Sequence, residues 1–549
     1  MEYSFSPAII LPMQEPHDHY SKPLVMSKTF ICIWLAVLFV TAAFIRVHGV
    51  DRFHPHVDEL MHIDIAKGAT LEEVLHFSLF ETHPPLGHLV RHYWEQISDT
   101  VWFERCLSLV FGLGLIPLYY AIGNRLHGRL AGLCAATLIT FSNGCIIQSY
   151  IVRNYTIFTF FLSLSVYMYL LWREDRQKIF PLIGYFICAL LAVLIHFSAL
   201  FALCMITFYG LWEKPGGRIR WAIANLLLAA LSLWTIQLWH NTLNSVQETA
   251  AGAMASYSFK DSLLLIPLYL VHVFNYLFPS ESFIFVLAFL APMAMAKKDK
   301  ALNAWLMLSG LSLLLGVVLF ITGIYPFVGD RHGLWLLPFF IISMGWLIAD
   351  AFLFLTKSFY LSAGLAFSCG LLFYTAQDRF VDSTEYAMTE KEWQQVSGYL
   401  QSVDPRSLLV SGKTDAIMLA PPQVNMYHYL GNNPASISPI AAFIPYYGTH
   451  LLFNNRNTMR IYKNATLTQM IEDASSKGML KEYDTLIFID SYAASQPVTD
   501  LMQCKALDKT VVSFSASMFF IAVKKQDFME QVISPAGKAH SCLFYDHSK

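Results

Sequence analysis

Twelve apolar runs, each 16 to 22 residues long, constrain this chain more than any other feature. A helix needs about 20 apolar residues to cross the hydrocarbon of a bilayer, so most of these runs are long enough to span it. The runs cover residues 28–48, 103–123, 130–149, 154–172, 179–196, 198–213, 220–240, 262–279, 281–297, 302–323, 333–351 and 358–376. Only 14% of the residues are charged, against roughly 25% in soluble proteins. The alternating strands of about 10 residues that form membrane barrels are not evident. We therefore predict an α-helical polytopic membrane protein.

Charge and cysteine content exclude several other classes of protein. Lys and Arg (37) nearly balance Asp and Glu (39), so no basic excess indicates nucleic-acid binding. No Cys-x-x-Cys or Cys/His zinc spacing occurs. Seven of the nine cysteines lie in apolar runs, where a small buried side chain is the ordinary interpretation. Cys504 and Cys542 lie outside the runs, and we predict that they pair if the tail occupies an oxidising compartment.

The distribution of Lys and Arg predicts the orientation in the membrane. These residues collect before the first run and in alternate connections: Lys22 and Lys28, Arg125 and Arg129, residues 173–178, and residues 214–220. Because basic residues mark cytoplasmic loops, the N-terminal segment 1–27 is assigned to the cytoplasm and loop 50–102 to the outside. No small-residue cleavage site follows the first run, which is therefore expected to remain as a helix.

Run 262–279 decides how many times the chain crosses. If all twelve runs crossed, Lys297, Lys298 and Lys300 would lie outside, against the charge rule. If run 262–279 instead lies in the outer interface, these lysines return to the cytoplasm. We therefore expect about eleven spans in a transmembrane domain, residues 28–376, and a soluble extracytoplasmic α/β domain, residues 377–549.

Short patterns within the tail support the α/β assignment. Residues 391–401 have a helical pattern, and residues 407–411 and 485–489 are short β-type runs. Residues 511–523 are expected to form a hairpin.

Loop 50–102 is rich in groups that bind metals or move protons, including His62 and Asp64. The adjacent carboxylates Asp58 and Glu59 follow the first span closely, and Glu81 precedes a rigid Pro-Pro step. One carboxylate at the membrane surface can act as a general base toward an acceptor hydroxyl or amine. A second can hold a divalent cation against a phosphate leaving group. The alternative is an ordinary solvated loop.

Several motifs of this chain resemble the GT-C superfamily of membrane glycosyltransferases. They are Asp58-Glu59, His83-Pro84-Pro85-Leu86, the segment 102–105 with its closing arginine, and Arg153-x-Tyr155. The chain is most similar to bacterial glycosyltransferases related to protein O-mannosyltransferases and to the lipid A aminoarabinose transferase. The resemblance covers about residues 50–160 by motif and residues 160–376 mainly by hydropathy. It implies a polyprenyl-phosphate-linked sugar donor, attack by an acceptor on the extracytoplasmic face, and inversion at the anomeric carbon.

The resemblance also implies roles for individual residues. Asp58 matches the catalytic carboxylate of the family, with Glu59 beside it as a second candidate. Glu81 matches an acidic residue that binds metal or donor phosphate in relatives. Arg153 matches an arginine near the lipid phosphate, and Tyr155 shares its motif.

The chain departs from this pattern at two positions. Relatives often have an acidic residue two positions before the arginine, where this chain has Ile151. Many relatives have an aromatic residue after Pro-Pro-Leu, where this chain has Gly87.

Further candidates lie elsewhere in the outer half. His83 belongs to the His-Pro-Pro-Leu step, and His196 stands at the outer end of the fifth span, where a simple interface residue is the alternative. Arg331 is expected to neutralise a phosphate, and His332 to complete a divalent-metal site with Glu81. For both, the alternative is a solvated turn that caps a helix.

Two more segments have two open interpretations each. Run 262–279 is either a lid over the donor site, with His272 and Tyr276 as contacts, or a scaffolding interface helix. The aromatic cluster 443–447 either stacks on a sugar or packs in a core.

The favoured function is transfer of one hexosyl or pentosyl unit onto an extracytoplasmic glycan, lipid or protein. The expected location is the inner (plasma) membrane, among membrane lipids. A transporter or flippase of lipid-linked sugar and a non-catalytic membrane scaffold are the alternatives. Transporters place their polar residues near the midplane, whereas the polar residues of this chain gather at one face.

The charge distribution makes the side of the tail testable. Residues 377–549 should lie on the same side of the membrane as loop 50–102. A C-terminal reporter active only outside the cytoplasm should therefore give signal, while a reporter active only in the cytoplasm stays silent. Signal from the cytoplasmic reporter would contradict the eleven-span topology.

Overall fold

The computed structural model describes residues 27–50, 57–68, 70–78, 83–213, 217–238, 259–280, 282–296, 299–322, 324–325 and 331–376 of the helical part. In the tail it describes residues 407–413, 416–420, 460–463, 475–476, 481, 484–491, 509–515 and 518–528.

The first half of the described chain is helical. Its helices are α1 (Lys28–Val50), α2 (Val57–Ala66), α3 (Leu71–Ser78), α4 (Leu86–Glu95), α5 (Val101–His127), α6 (Arg129–Phe141), α7 (Asn143–Ser149), α8 (Tyr155–Glu174), α9 (Ile179–Ile195), α10 (Ala199–Glu213) and α11 (Arg218–Leu238). The helices that follow are α12 (Phe259–Leu277), α13 (Phe283–Ala296), α14 (Lys300–Ile321), the 3₁₀ helix Arg331–Leu336, α15 (Leu337–Thr356) and α16 (Phe359–Ala376).

Each predicted apolar run corresponds to a helix or to a broken pair of helices. Within the described residues, six helices are long and apolar enough to cross a membrane, and α6 with α7 forms a seventh candidate bent by 57°. Five shorter apolar helices, of 10–17 residues, account for the remaining runs. The chain is a multi-pass membrane protein, and the number of eleven spans stays a prediction.

The crossing of α5 and α6 shows how small residues organise the bundle. Thr100 caps α5 by accepting a hydrogen bond from the backbone N–H of Phe103. Gly128 ends the helix with a φ of +87°, a conformation that disfavours residues with a Cβ. After this turn, a Cβ built at Gly132 would lie 2.6 Å from the backbone oxygen of Tyr120. The two helices therefore touch backbone to backbone.

Helix α15 occupies the centre of the bundle. Its residues 337–349 are all buried, and Gly345 lies directly against the backbone of Ala135 in α6. Its own Trp346 is fully buried, as are Trp305 of α14 and Trp335 of the 3₁₀ helix. Burial of such large aromatic side chains contributes strongly to the stability of the packed bundle.

The break between α6 and α7 holds the end of α12. The side chain of Asn143 donates to the backbone oxygen of Asn275 at 2.7 Å, and that of Gln148 donates to the hydroxyl of Tyr276 at 2.7 Å. Gly144 leaves room for the Tyr276 ring, since a Cβ there would be 2.4 Å from it. Tyr276 thus contacts the bundle, whereas His272 is exposed. Whether α12 acts as a lid stays a prediction.

The tail contains a mixed six-stranded sheet with the order β3-β2-β1-β4-β6-β5. Its strands are β1 (Ser407–Lys413), β2 (Ala416–Ala420), β3 (Arg460–Lys463), β4 (Thr485–Ser491), β5 (Lys509–Ser515) and β6 (Met518–Lys524), followed by the short helix Lys525–Phe528. Strands β5 and β6 form the expected antiparallel hairpin, and the predicted strands at 407–411 and 485–489 pair in parallel.

Other predictions for the tail remain open. Residues 391–401 and 443–447, Cys504 and Cys542 lie outside the described residues. That residues 377–549 form a separate extracytoplasmic domain also stays a prediction.

The glycine contact between α5 and α6 can be tested against a matched control. Gly132→Ala should lower the melting temperature in detergent by several degrees, because the new methyl group meets backbone that must shift. Gly310→Ala makes the same change in helix α14, where nothing lies within 4 Å, and should leave the melting temperature unchanged or raise it. Equal melting temperatures for the two variants would show that α5 and α6 do not touch in this way.

Candidate active site

Short helices between α1 and α5 carry much of the candidate site. Glu59 and His62 are three residues apart on α2 and share one face of that helix. His83, Pro84 and Pro85 are buried and lead into α4, where proline at the helix start loses no hydrogen bond that the helix needs. The loop thus folds back onto the bundle, which does not fit the alternative of an ordinary solvated loop.

Glu59 forms a buried, two-pronged ion pair with Arg105 of α5. Arg105 donates from Nε to Oε2 and from Nη2 to Oε1 of Glu59, both at 2.9 Å. The same Oε2 accepts the backbone N–H of Val152 at 2.7 Å. Both carboxylate oxygens are therefore engaged, and Glu59 fixes α2 to α5 and to the segment before α8.

Arg91 of α4 makes a second set of buried contacts. Its Nη2 donates to the backbone oxygen of Arg153 at 2.8 Å and to the hydroxyl of Ser108 at 3.2 Å. Its Nε donates to Oδ1 of Asn154 at 3.3 Å, and Nη1 lies 3.7 Å from Oε2 of Glu104. Burial lowers the pKa of Arg91 to about 10, against the opposing pull of nearby carboxylates, so the guanidinium stays charged at neutral pH.

The contacts of α4 with Asn154 explain why position 87 is a glycine. A Cβ at this position would lie 2.2 Å from Nδ2 of Asn154. Any side chain would displace Asn154, an acceptor of Arg91. Glycine at this position, where relatives often have an aromatic residue, therefore allows α4 to pack closely against the start of α8.

Together these contacts clamp the backbone just before α8. The N–H of Val152 is held by Glu59 and the carbonyl of Arg153 by Arg91. Arg153 is 4% exposed, and its Nη1 lies 3.0 Å from Nε2 of His62. Because a guanidinium only donates, Nε2 of His62 accepts, and the ring carries its proton on Nδ1. The sequence analysis named His62 among the polar groups of the loop but gave it no role in the site; its spacing of three from Glu59 is the signal that could have done so.

Four buried histidines form a row beside Arg153: His62 lies on α2, His88 lies on α4, His83 lies just before α4, and His196 directly follows α9. The ring centroids of His88 and His62 are 4.7 Å apart, those of His62 and His83 5.2 Å, and those of His83 and His196 4.8 Å. Tyr155 lies 4.9 Å from His196. The structure thus brings together four of the predicted site residues, Arg153, Tyr155, His83 and His196.

Arg331 and His332 open the 3₁₀ helix, which packs against α7, α8 and α10. Both residues are half-buried, and the Tyr325 hydroxyl donates to the His332 backbone oxygen at 3.4 Å. They therefore lie on an element that packs against α8, the helix that follows Arg153. Their roles stay predictions.

The remaining candidates are not resolved by the geometry. Glu81 and the side chain of Asp58 lie outside the described residues, although the backbone of Asp58 belongs to α2. Among the residues that the structure describes, no group of three His, Cys, Asp or Glu side chains could hold a metal ion. The metal site of Glu81 with His332 stays a prediction.

Glu95 links the end of α4 to the end of α2. Its Oε1 lies 3.6 Å from Nζ of Lys67, and Nδ1 of His92 contacts the backbone oxygen of Ala66 at 2.8 Å. Burial raises the pKa of Glu95 to about 7, with Lys67 opposing the shift. Glu95 is thus partly protonated near neutral pH.

Comparison with known proteins agrees with this architecture. Residues 36–278 match the family described as dolichyl-phosphate-mannose-protein mannosyltransferase. The fold is similar to that of ArnT from Cupriavidus metallidurans bound to undecaprenyl phosphate, with 11% identity, 90% of this chain and 98% of that chain covered, and a TM-score of 0.50. The apo state of the same ArnT gives 12% identity, the same coverage and a TM-score of 0.51. The predicted resemblance to the GT-C superfamily is confirmed.

Weaker similarities and one negative result complete the comparison. The archaeal oligosaccharyltransferase AglB from Archaeoglobus fulgidus, in complex with an inhibitory peptide and a dolichol-phosphate, matches at 12% identity. That match covers 93% of this chain and 78% of AglB, with a TM-score of 0.48. No curated protein matches the sequence. The GT-C fold therefore rests on the family match and on the two ArnT structures.

Glu95 predicts a specific dependence of stability on pH. Its pKa in the folded protein lies above the ordinary value of 4.5, so the folded state binds the Glu95 proton more tightly than the unfolded state does. The contribution of Glu95 to the free energy of unfolding therefore falls as pH rises from about 4.5 to 7. The melting temperature of Glu95→Gln minus that of the wild type should therefore increase as pH rises from 5 to 8.5. The exposed Glu72→Gln variant is the control and should show no such trend. A constant difference between wild type and Glu95→Gln across this range would contradict the raised pKa.

Proposed function

We propose that this protein is a glycosyltransferase that moves a sugar from a polyprenyl-phosphate-linked donor to an extracytoplasmic acceptor. The observation that carries the proposal is the buried Arg153, whose chain segment is clamped by Glu59 at the Val152 N–H and by Arg91 at the Arg153 carbonyl, while His62 contacts the guanidinium. A side chain on such a fixed segment loses less conformational entropy when it binds a phosphate. The GT-C fold and the family match support this kind of reaction.

Arg153 supplies the positive charge that a phosphate leaving group needs. In the proposed reaction the bond between the anomeric carbon and the phosphate oxygen breaks, and that oxygen keeps the electron pair. Arg153 stabilises the resulting charge, with Arg331 on the neighbouring 3₁₀ helix as a second cation. Tyr155, His83 and His196 line the adjacent space and can donate or accept hydrogen bonds to the sugar.

Asp58 is the proposed general base. The ion pair with Arg105 engages both oxygens of Glu59, so the neighbouring carboxylate on α2 is the better candidate to remove the acceptor proton. We assign Glu59 to holding the site together. The acceptor oxygen or nitrogen then attacks the anomeric carbon from the face opposite the phosphate, which inverts the configuration.

An apolar groove fits the lipid portion of such a donor. A cavity of about 430 Å³ lies between α10 and α14 and is lined almost wholly by apolar atoms. Residues that line it include Met205, Phe208, Trp212, Leu311, Leu314 and Val318. Near the start of α10, Phe201 contacts Tyr325, and Tyr325 contacts His332 beside Arg331. A chain in the groove could therefore have its phosphate near the proposed cations.

A flippase of lipid-linked sugar is the second candidate, because the broken span of α6 and α7 is a feature that transporters share. The clamped Arg153 and the row of histidines favour chemistry at one face instead. Reconstituted vesicles distinguish the two: a transferase forms glycosylated acceptor, whereas a flippase only changes the leaflet of the donor.

Two substitutions should separate the proposed roles. Asp58→Asn keeps the shape but removes the base, so turnover should fall by about 10²–10⁴-fold while binding of undecaprenyl phosphate changes little. Arg153→Ala should weaken that binding and turnover together, each by about 10- to 100-fold, because the phosphate is charged in both ground and transition states. The measurements are transfer of labelled sugar from undecaprenyl phosphate and lipid binding in detergent.

The exposed Arg220→Ala variant controls for loss of one arginine and should behave as wild type. Near-normal transfer by a folded Asp58→Asn variant would show that Asp58 is not the general base, and Glu81 would become the next candidate. No transfer by the wild type from any hexosyl or pentosyl donor would contradict the proposed function itself.

A further inference from the structure

Arg46, near the outer end of α1, is fully buried and bound only to neutral groups. Its Nη1 and Nη2 donate to the backbone oxygens of Thr140 and Ile139 at 3.0 and 3.1 Å. Its Nε donates to the hydroxyl of Ser149 at 3.2 Å, and Nη1 also reaches the backbone oxygen of Ala42 at 3.4 Å. No carboxylate within the described residues pairs with it.

The position of these acceptors explains how a charged group is tolerated there. Ile139 and Thr140 lie in the last turn of α6, whose final carbonyls have no partner within the helix. The negative end of the helix dipole lies at the same place. The guanidinium therefore caps α6 where the span breaks, and it does so within the membrane domain, where an unsatisfied carbonyl is costly.

The contact with Ser149 connects this cap to the candidate active site. Ser149 ends α7, and only three residues separate it from Arg153. On the opposite side, Gly112 of α5 leaves room for Ser149, because a Cβ there would be 2.0 Å from its hydroxyl. The Arg46 guanidinium thus joins α1 to the end of α6 and the end of α7. Glu59 and Arg91 hold the same chain segment three and four residues after Ser149.

We propose that Arg46 is a positioning residue that sets the angle of α7 and thereby places the Arg153 guanidinium. This inference rests on the proposed role of Arg153 in glycosyl transfer. A single positive charge would not suffice, since the three acceptors outside α1 lie on α6 and α7 and require the planar fork of arginine.

Amide hydrogen exchange tests the structural half of the proposal without any substrate. Arg46→Met should increase deuterium uptake in residues 143–153 by about tenfold or more, because hydrogen bonds from a charged donor are lost. Exchange in α8 and α9 should stay at the wild-type level. Arg46→Lys should not restore protection, and Arg220→Met should have no effect. Unchanged uptake in residues 143–153, or an increase spread over the whole bundle, would overturn the proposal.

If Arg46→Met does not fold, Ser149→Ala takes its place. It removes one acceptor of the fork and should raise uptake in the same segment by about two- to tenfold. Wild-type uptake in folded Ser149→Ala would overturn the proposal in that case.

Kinetics test the link to Arg153. Arg46→Met should raise KM for the undecaprenyl-phosphate sugar about tenfold and leave KM for the acceptor unchanged. Adding it to Arg153→Ala should cause no further loss, because Arg46 acts through Arg153. Additive losses, or a change in acceptor KM, would count against positioning. Failure of the proposed function would instead appear as absent transfer by the wild type, while the exchange result still decides the role of Arg46.

Discussion

The candidate site depends on pairing charge where water is excluded. Glu59 with Arg105 and Glu104 with Arg91 are buried pairs that join α2, α4, α5 and the start of α8. Removing one member of such a pair leaves an uncompensated charge, which costs several kcal/mol, about 3–5. This requirement ties a loop outside the spans to the bundle and gives the Val152–Arg153 segment a fixed geometry.

The sequence predicted the helical part of the fold because hydropathy and helix length are both local properties. Each apolar run became a helix or a bent pair, and the β5–β6 hairpin formed as its pattern predicted. Arg153, Tyr155 and His83 were singled out by motif resemblance and His196 by its position at the end of a span, and the structure places the four close together. The bend between α6 and α7 was not foreseen, because run 130–149 is apolar for most of its length and short polar residues such as Ser142 and Asn143 also occur within straight membrane helices.

Residues whose role depends on distant partners were harder to recognise. Arg46 lies in an apolar run and binds carbonyls about 94 positions away, so no local pattern distinguishes it. His62 and Arg91 belong to a loop with many polar residues, and only their contacts show which of them are buried. Glu59 was expected to share in catalysis beside Asp58, and its full engagement by Arg105 and Val152 became visible only in three dimensions.

The close approach of Gly87 to Asn154 couples two positions that are far apart in sequence. A larger residue at position 87 requires a smaller one at position 154, and that change removes an acceptor from Arg91. A third substitution would then be needed to satisfy the guanidinium. Introducing the aromatic residue of relatives at position 87 of this chain therefore requires three simultaneous substitutions. A single substitution should disrupt folding here more often than at neighbouring positions.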